Sequence, residues 1–237
     1  MKNVVEYQVP LRNFDASGTC GGTDTAVARL VKTGGIYRRA GKRVFDLLLA
    51  SVLLPLIAPL VAILWLAARR DGGPGFFGHT RIGRGGASFK CWKIRTMVMG
   101  AEEKLQAYLR DHPEAAKEWD RNRKLAKDPR VTRFGDFLRK SSLDELPQIW
   151  NVLTGEMSFV GPRPVVADEI RKYGSQSGSY LAQVPGITGF WQVSGRNSVT
   201  YGERVSMDDD YLRNMSFLLD LRILFKTWLV VIRRTGC

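Results

Sequence analysis

The run from Lys140 to Gln148 reads Lys-Ser-Ser-Leu-Asp-Glu-Leu-Pro-Gln and sets two adjacent carboxylates, Asp144 and Glu145, just after a pair of serines. An ionised aspartate is a competent nucleophile towards phosphorus, and covalent aspartyl-phosphate chemistry is a known route. Ser142-x-x-Glu145 also reads as a capping box that opens a helix running to about Leu153. At a helix start the dipole lowers a carboxylate pKa and attracts phosphate. Neighbouring helical positions diverge by about 100°. Glu145 therefore suits holding a metal or tuning Asp144 better than attacking the same atom. A purely structural cap is the competing reading of these residues.

Cations recur at constrained places. In Gly161-Pro162-Arg163-Pro164 the prolines fix the backbone on both sides of Arg163, which would aim a guanidinium at phosphate or simply make a rigid turn. Arg139 precedes the serine pair, and Arg196 sits in Gly195-Arg196-Asn197. Lys93 and Arg95 alternate along an apparent strand, facing either a ligand or solvent. Met207-Asp208-Asp209-Asp210 either caps the last helix or lends an aspartate to a metal or sugar.

The chain has 237 residues with 36 Lys and Arg against 23 Asp and Glu, a net +13. That balance favours anionic partners: lipid head groups, phosphorylated substrates or nucleic acid. His79 and His112 are the only histidines, and the three cysteines are widely spaced. A zinc site and a disulfide framework are not indicated. Any metal would take oxygen ligands, which suits Mg²⁺.

These groups need elements to position them. Residues 1–36 read as a flexible tail. From Leu47 to Ala68 the chain is apolar apart from Ser51, Pro55 and Pro59. About 20 such residues cross a bilayer as a straight helix. Pro55 and Pro59 would break it. Basic residues flank both ends: Arg38, Arg39, Lys42 and Arg43 before, Arg69 and Arg70 after. Residues 37–70 are therefore expected to form a re-entrant helix-break-helix with both ends on the cytoplasmic face. A kinked spanning helix and a buried core helix are the alternatives. Residues 71–237 read as a cytoplasmic catalytic domain of the α+β class, mostly helical with a small β element. A strand is expected over Ser88 to Met97, helices over Gly100 to Lys127 with a break at His112-Pro113, and another over Arg133 to Lys140. Tyr211 to Arg234 is expected as one amphipathic helix that closes the core or lies in the membrane interface.

With these segments in view, the chain resembles the bacterial sugar transferase family, the monotopic phosphoglycosyl transferases. The resemblance spans about Arg38 to Arg234. It rests on Phe45-Asp46, the Phe89 to Met97 segment, Ser142 to Gln148 with Asn151-Val152-Leu153, Gly155 to Pro164, and Pro185 to Asn197. The chain is most similar to short enzymes that begin succinoglycan-type exopolysaccharide synthesis by transferring galactose-phosphate. The resemblance implies transfer of a sugar-1-phosphate from a UDP-sugar to undecaprenyl phosphate, with UMP released. UDP-galactose and UDP-glucose are the candidate donors. It implies Mg²⁺, a place in the cytoplasmic leaflet of the bacterial inner membrane, Asp144 as nucleophile and Glu145 as metal ligand. It also places Arg139, Arg163, Arg196 and Asp208 among the site's polar residues, with Lys or Arg common at the position of Arg95. The Ser-Pro break common in the family is Ala58-Pro59 here. Oligomeric state is open, with a homodimer as the candidate assembly.

Rival readings are a basic membrane adaptor that uses the dyad only as a helix cap, a membrane phosphatase, and a nucleic-acid binder. The last lacks a recognisable reader motif.

Overall fold

The computed structural model describes residues 35–122, 124–195 and 199–232. Helix α1, Lys42–Ala68, follows a π-helical turn at Tyr37–Gly41. Pro55 and Pro59 both lie inside α1, so the expected helix-break-helix gives way to one helix. Each proline removes a single amide donor, and the bonded turns on either side carry the helix past it. By length and composition α1 is apolar enough to cross a membrane. Leu48, Val52, Leu56, Ile63 and Leu66 on one side are 60–73% exposed, whereas Asp46, Ala50, Leu64 and Ala68 are buried. The helix thus lies along the protein with an apolar stripe turned outwards.

A hairpin comes next: β1, Phe76–Ile82, pairs antiparallel with β2, Ser88–Ile94. Then follow α2, Ala101–Asp111, α3, Pro113–Asn122, and α4, Arg133–Ser141. The break at His112-Pro113 matches expectation, because a residue before proline avoids helical angles. A short 3-10 turn, Leu143–Glu145, leads to α5, Gln148–Thr154. Strand β3, Ser158–Val160, runs parallel to β4, Gly186–Thr188, with small helices between them, α6 at Ala167–Ile170 and α7 at Ser177–Leu181. Helix α8, Phe190–Ser194, precedes α9, Tyr201–Asn214, and α10, Phe217–Ile232. The class is mostly helical, as expected, but the β part is two small sheets rather than one small element. The single terminal helix expected from Tyr211 is instead two, because Met215 leaves the helical region (φ −52°, ψ 119°). Ser216 Oγ then accepts from the Leu219 amide at 3.3 Å and starts α10.

One core joins Ala50 of α1 to Phe89, Cys91, Ile149, Val152, Val160, Tyr211 and Ile223. A second gathers Leu64 and Ala68 at the end of α1 with Ile94 and Leu138. Leu143 and Leu146, the residues on either side of the Asp-Glu pair, pack against that second cluster. The apolar helix is therefore seated directly on the turn that carries the dyad.

Candidate active site

Ser142 is the C-cap of α4 and not the side-chain N-cap of a capping box. Its backbone is left-handed (φ 58°, ψ 16°), it ends α4, and its side chain makes no capping bond to the next turn. It is the only non-glycine residue with positive φ among those described. Such a conformation is uncommon for a residue with a side chain and persists only where its surroundings hold it. The turn it makes redirects the chain so that Leu143 and Leu146 enter the core while Asp144 and Glu145 face β2. Both carboxylates meet one ammonium: Lys93 Nζ is 2.6 Å from Glu145 Oε1 and 3.6 Å from Asp144 Oδ2. The angular divergence of the two residues thus does not keep them apart, because Lys93 lies between them.

The electrostatics differ for the two acids. Burial pushes the Asp144 carboxyl up, Lys93 and Arg139 oppose it, and Glu145 adds to the rise. A lowered pKa from a helix N-terminus is therefore corrected: desolvation outweighs it. Burial also works to raise Glu145, but Lys93, then Arg163 and Arg81, outweigh it and hold that carboxyl below its usual range. Asp144 is nearly buried at 7% exposure. Glu145 opens onto a cleft with His79, Arg81, Lys93, Gln148 and Arg163. A larger depression of about 290 Å³, lined by Trp65, Arg69 and residues 72–76, lies at the end of α1. It holds no carboxylate or histidine; the paired carboxylate Glu145 and the histidine His79 line the smaller cleft instead.

Neighbouring elements fix these groups. Asn151, fully buried on α5, accepts from the Trp92 amide at 3.1 Å and donates to Lys90 O at 2.8 Å and to Glu156 at 2.7 Å. It joins α5 to the strand that carries Lys93. Arg139 Nε donates to Thr96 Oγ1 at 3.0 Å, beside Asp144. Gly161 and Gly186 let β3 and β4 approach closely: a Cβ on Gly186 would run into the Gly161 amide and Thr188 O. The Gly161 amide donates to Thr188 O at 2.9 Å and the Gly186 amide to Pro162 O at 2.8 Å. The Gly-Pro-Arg-Pro loop is thereby pinned, with Arg163 exposed at the cleft.

Of the residues expected from sequence, the fold brings together Lys93, Arg139, Asp144, Glu145 and Arg163. Arg95 is a correction. It pairs with Asp71 and donates to Ala68 O and Pro74 O at 2.6 Å and to Met97 O at 3.0 Å, so it fastens the end of α1. Asp208 is a second correction. It lies within α9, 2% exposed, and accepts from Tyr173 Oη at 2.9 Å within the core. The acidic triplet is interior to α9, which Thr200 caps instead. Arg196 lies outside the described residues. His79, Arg81 and Asn151 were missed as site or supporting residues. The alternation of β1, which puts Phe77, His79 and Arg81 on one face, is the signal that could have found the first two.

The fold and cleft define a class: a polar, cation-rich centre with paired carboxylates built against one end of an apolar helix. The family model for bacterial sugar transferases matches residues 37–234, and the chain belongs to that family. It is 52% identical over 199 residues to the exopolysaccharide production protein ExoY of Rhizobium meliloti, covering 83% of this chain and 88% of that one. It is 50% identical over 195 residues to the undecaprenyl-phosphate galactose phosphotransferase of Salmonella typhimurium, covering 82% of this chain and 41% of that one. It is 37% identical over 195 residues to the UDP-glucose:undecaprenyl-phosphate glucose-1-phosphate transferase of Escherichia coli, covering 78% and 39% respectively. The chain thus spans less than half the length of the latter two relatives.

Proposed function

We propose that this chain transfers a hexose-1-phosphate, galactose or glucose, from a UDP-sugar to undecaprenyl phosphate, the first membrane step of exopolysaccharide synthesis. The observation that carries this reading is the convergence of Asp144 and Glu145 on Lys93 beside Arg139 and Arg163. Asp144 attacks the sugar-bearing phosphorus. The bond from that phosphorus to the bridging oxygen breaks, and UMP leaves with the electron pair. An oxygen of undecaprenyl phosphate then attacks the same phosphorus and displaces the carboxylate, which regenerates Asp144. Lys93 and Arg139 keep the ionised form of Asp144 accessible despite burial. Arg163 meets charge on the transferring phosphates.

Two adjacent carboxylate side chains supply the hard oxygen donors that Mg²⁺ takes together with substrate phosphates. They fit that ion, with Glu145, the more exposed and more acidic of the two, as its holder. Bound there, the ion would offset the negative charge of the diphosphate. No cluster of three His, Cys, Asp or Glu exists among the described residues, so substrate phosphates would complete its shell.

The anchor reading is monotopic insertion into the cytoplasmic leaflet of the inner membrane. Both ends of α1 are tied to the same body, which supports it. Lys42 pairs with buried Asp220 at 2.7 Å and Arg43 donates to Val152 O at 2.5 Å at one end. Arg95 holds Ala68 O at the other. A polyprenyl tail leaves a bilayer only at about 0.8 kcal/mol per CH₂, so the site must sit at the surface.

The test is UMP release from UDP-galactose and UDP-glucose by detergent-solubilised protein with Mg²⁺, with and without undecaprenyl phosphate. Sustained, lipid-dependent release is expected, and Asp144→Asn abolishes it while the protein still sediments with membranes. Transfer by that variant would remove the nucleophile role. Release that needs no lipid would make the protein a phosphatase.

A further inference from the structure

The reaction as written uses one side of the cleft. The other is β1. In the hairpin register Phe77 faces Lys93, His79 faces Cys91 and Arg81 faces Phe89. Directly opposed residues share a face of the ladder, so His79 and Arg81 look into the same cleft as Lys93. Arg81 is held from two directions: Nη2 lies 3.3 Å from His79 Nδ1, and Nη1 lies 3.8 Å from Glu169 Oε2. A guanidinium can only donate, so Nδ1 is the acceptor and the imidazole is neutral with its proton on Nε2. The arginine fork is thereby oriented before any ligand arrives.

The charges around the cleft sort into two ends. Asp144 is acted on by Lys93, Glu145 and Arg139. Glu145 is acted on by Lys93, Arg163 and Arg81. Arg81 and Arg163 line the cleft together with Glu145, and Asp144 is not among its lining residues; the two arginines also act on each other as like charges. Glu145 is shared between Lys93 and these two arginines, so the cations at this end outnumber the carboxylate they share and would favour a further anion there. Glu169 is 38% exposed and 3.8 Å away, so it orients Arg81 without neutralising the pair.

We propose that Arg81, oriented by His79 and Glu169, binds the phosphate of the nucleoside diphosphate that is not attacked, the one that leaves as the nucleoside monophosphate. The assignment rests on the phosphosugar-transfer reading. In that step the bond between the bridging oxygen and the sugar-bearing phosphorus breaks and the electron pair stays with the leaving phosphate. A planar fork matches two oxygens of that group where a lysine would offer only a point charge.

The experiment uses the full chain in detergent with UMP as probe, read by calorimetry, beside steady-state turnover of UDP-galactose with undecaprenyl phosphate. Arg81→Ala is expected to weaken UMP binding about 10-fold or more, as loss of a charge-assisted phosphate contact does. The KM for UDP-sugar should rise by a similar factor and the KM for undecaprenyl phosphate should hold. Arg81→Lys keeps the charge beside Glu169 and is expected to lose part of the same affinity. If Arg81→Ala melts early, Arg81→Lys decides. UMP affinity within twofold of wild type in the folded variants overturns the assignment, as does a rise confined to the lipid KM. Wild-type protein that turns over no UDP-sugar would defeat the transferase reading instead, and UMP binding would still report on Arg81.

Discussion

At the scale of single residues, burial sets what each acid can do. Asp144 and Asp208 are both nearly buried carboxyls, yet only Asp144 has cations beside it. Asp208 has Tyr173 alone, and burial pushes its pKa from 3.8 up to about 7. The folded chain therefore holds a proton that the unfolded chain releases between those two values. The stabilising contribution of this protonated group is complete below pH 3.8 and is lost as pH rises through about 7. Asp208→Asn is expected to flatten that fall and to gain stability on the order of a few kcal/mol above neutrality. Urea midpoints of both proteins at about pH 5 and pH 8 measure it. Parallel pH slopes would show that Asp208 ionises freely within the fold. Sequence alone could nominate any of the three consecutive aspartates. Asp208 and Asp209 are buried and Asp210 is not, which depends on how α9 packs on Tyr173 and Tyr180, and no local pattern encodes that.

Elements were legible where the signal was periodic and local. The strand starting at Ser88, the break at His112-Pro113, the short helix α4 and the helical, apolar character of α1 followed from alternation, proline or hydropathy, although the strand stops at Ile94 rather than Met97 and α1 runs unbroken past its prolines. The parts that failed depend on contacts distant in sequence. Ser142-Leu143-Asp144-Glu145 has the letters of a capping box, but packing of Leu143 and Leu146 under α1 pulls the chain into a left-handed turn instead. Arg95 looked like a ligand cation because the C-terminal end of α1, which uses it, lies 27 residues upstream. The pairing of β3 with β4 was likewise invisible, since each strand is three residues long. That pairing carries its own prediction. Gly186→Ala places a methyl group where backbone atoms of Gly161 and Thr188 already stand. Overpacking of this kind destabilises by about 1–3 kcal/mol, or roughly 2–12 °C in Tm at this chain length. Because Gly186 also bonds Pro162 O, the KM for UDP-sugar should rise as the Arg163 loop shifts. Unchanged Tm and KM would mean that the two strands part without consequence for the loop.

For the whole molecule the question is how the cleft is held at a fixed position relative to the apolar helix. Asp220 on α10 is fully buried and accepts from Tyr37 at 2.6 Å, Lys42 at 2.7 Å and Tyr211 at 2.6 Å. Asp46 on α1 accepts from the Phe159 amide at 3.1 Å. These bonds lock the start of α1 to α9, α10 and β3, while Leu64 and Ala68 seat its end beneath the dyad turn. A buried acid satisfied by three donors is hard to separate from them, since breaking a buried ion pair costs about 3–5 kcal/mol. The two ends of α1 therefore cannot part to opposite sides of a bilayer without undoing the core. Cysteines replacing Arg39 and Arg70, in a chain with Cys20 and Cys237 changed to Ser, are expected to react with a membrane-impermeant maleimide from the same face. Inside-out vesicles should label both and right-side-out vesicles neither. Cys91 is buried near Met157, with 4.0 Å between their sulfurs, and adds no background while the fold is intact. Labelling of the two sites from opposite faces would make α1 a spanning helix. One end of α1 would then have to leave the domain that holds it here, and the dyad turn would lose the packing of Leu143 and Leu146 under that end.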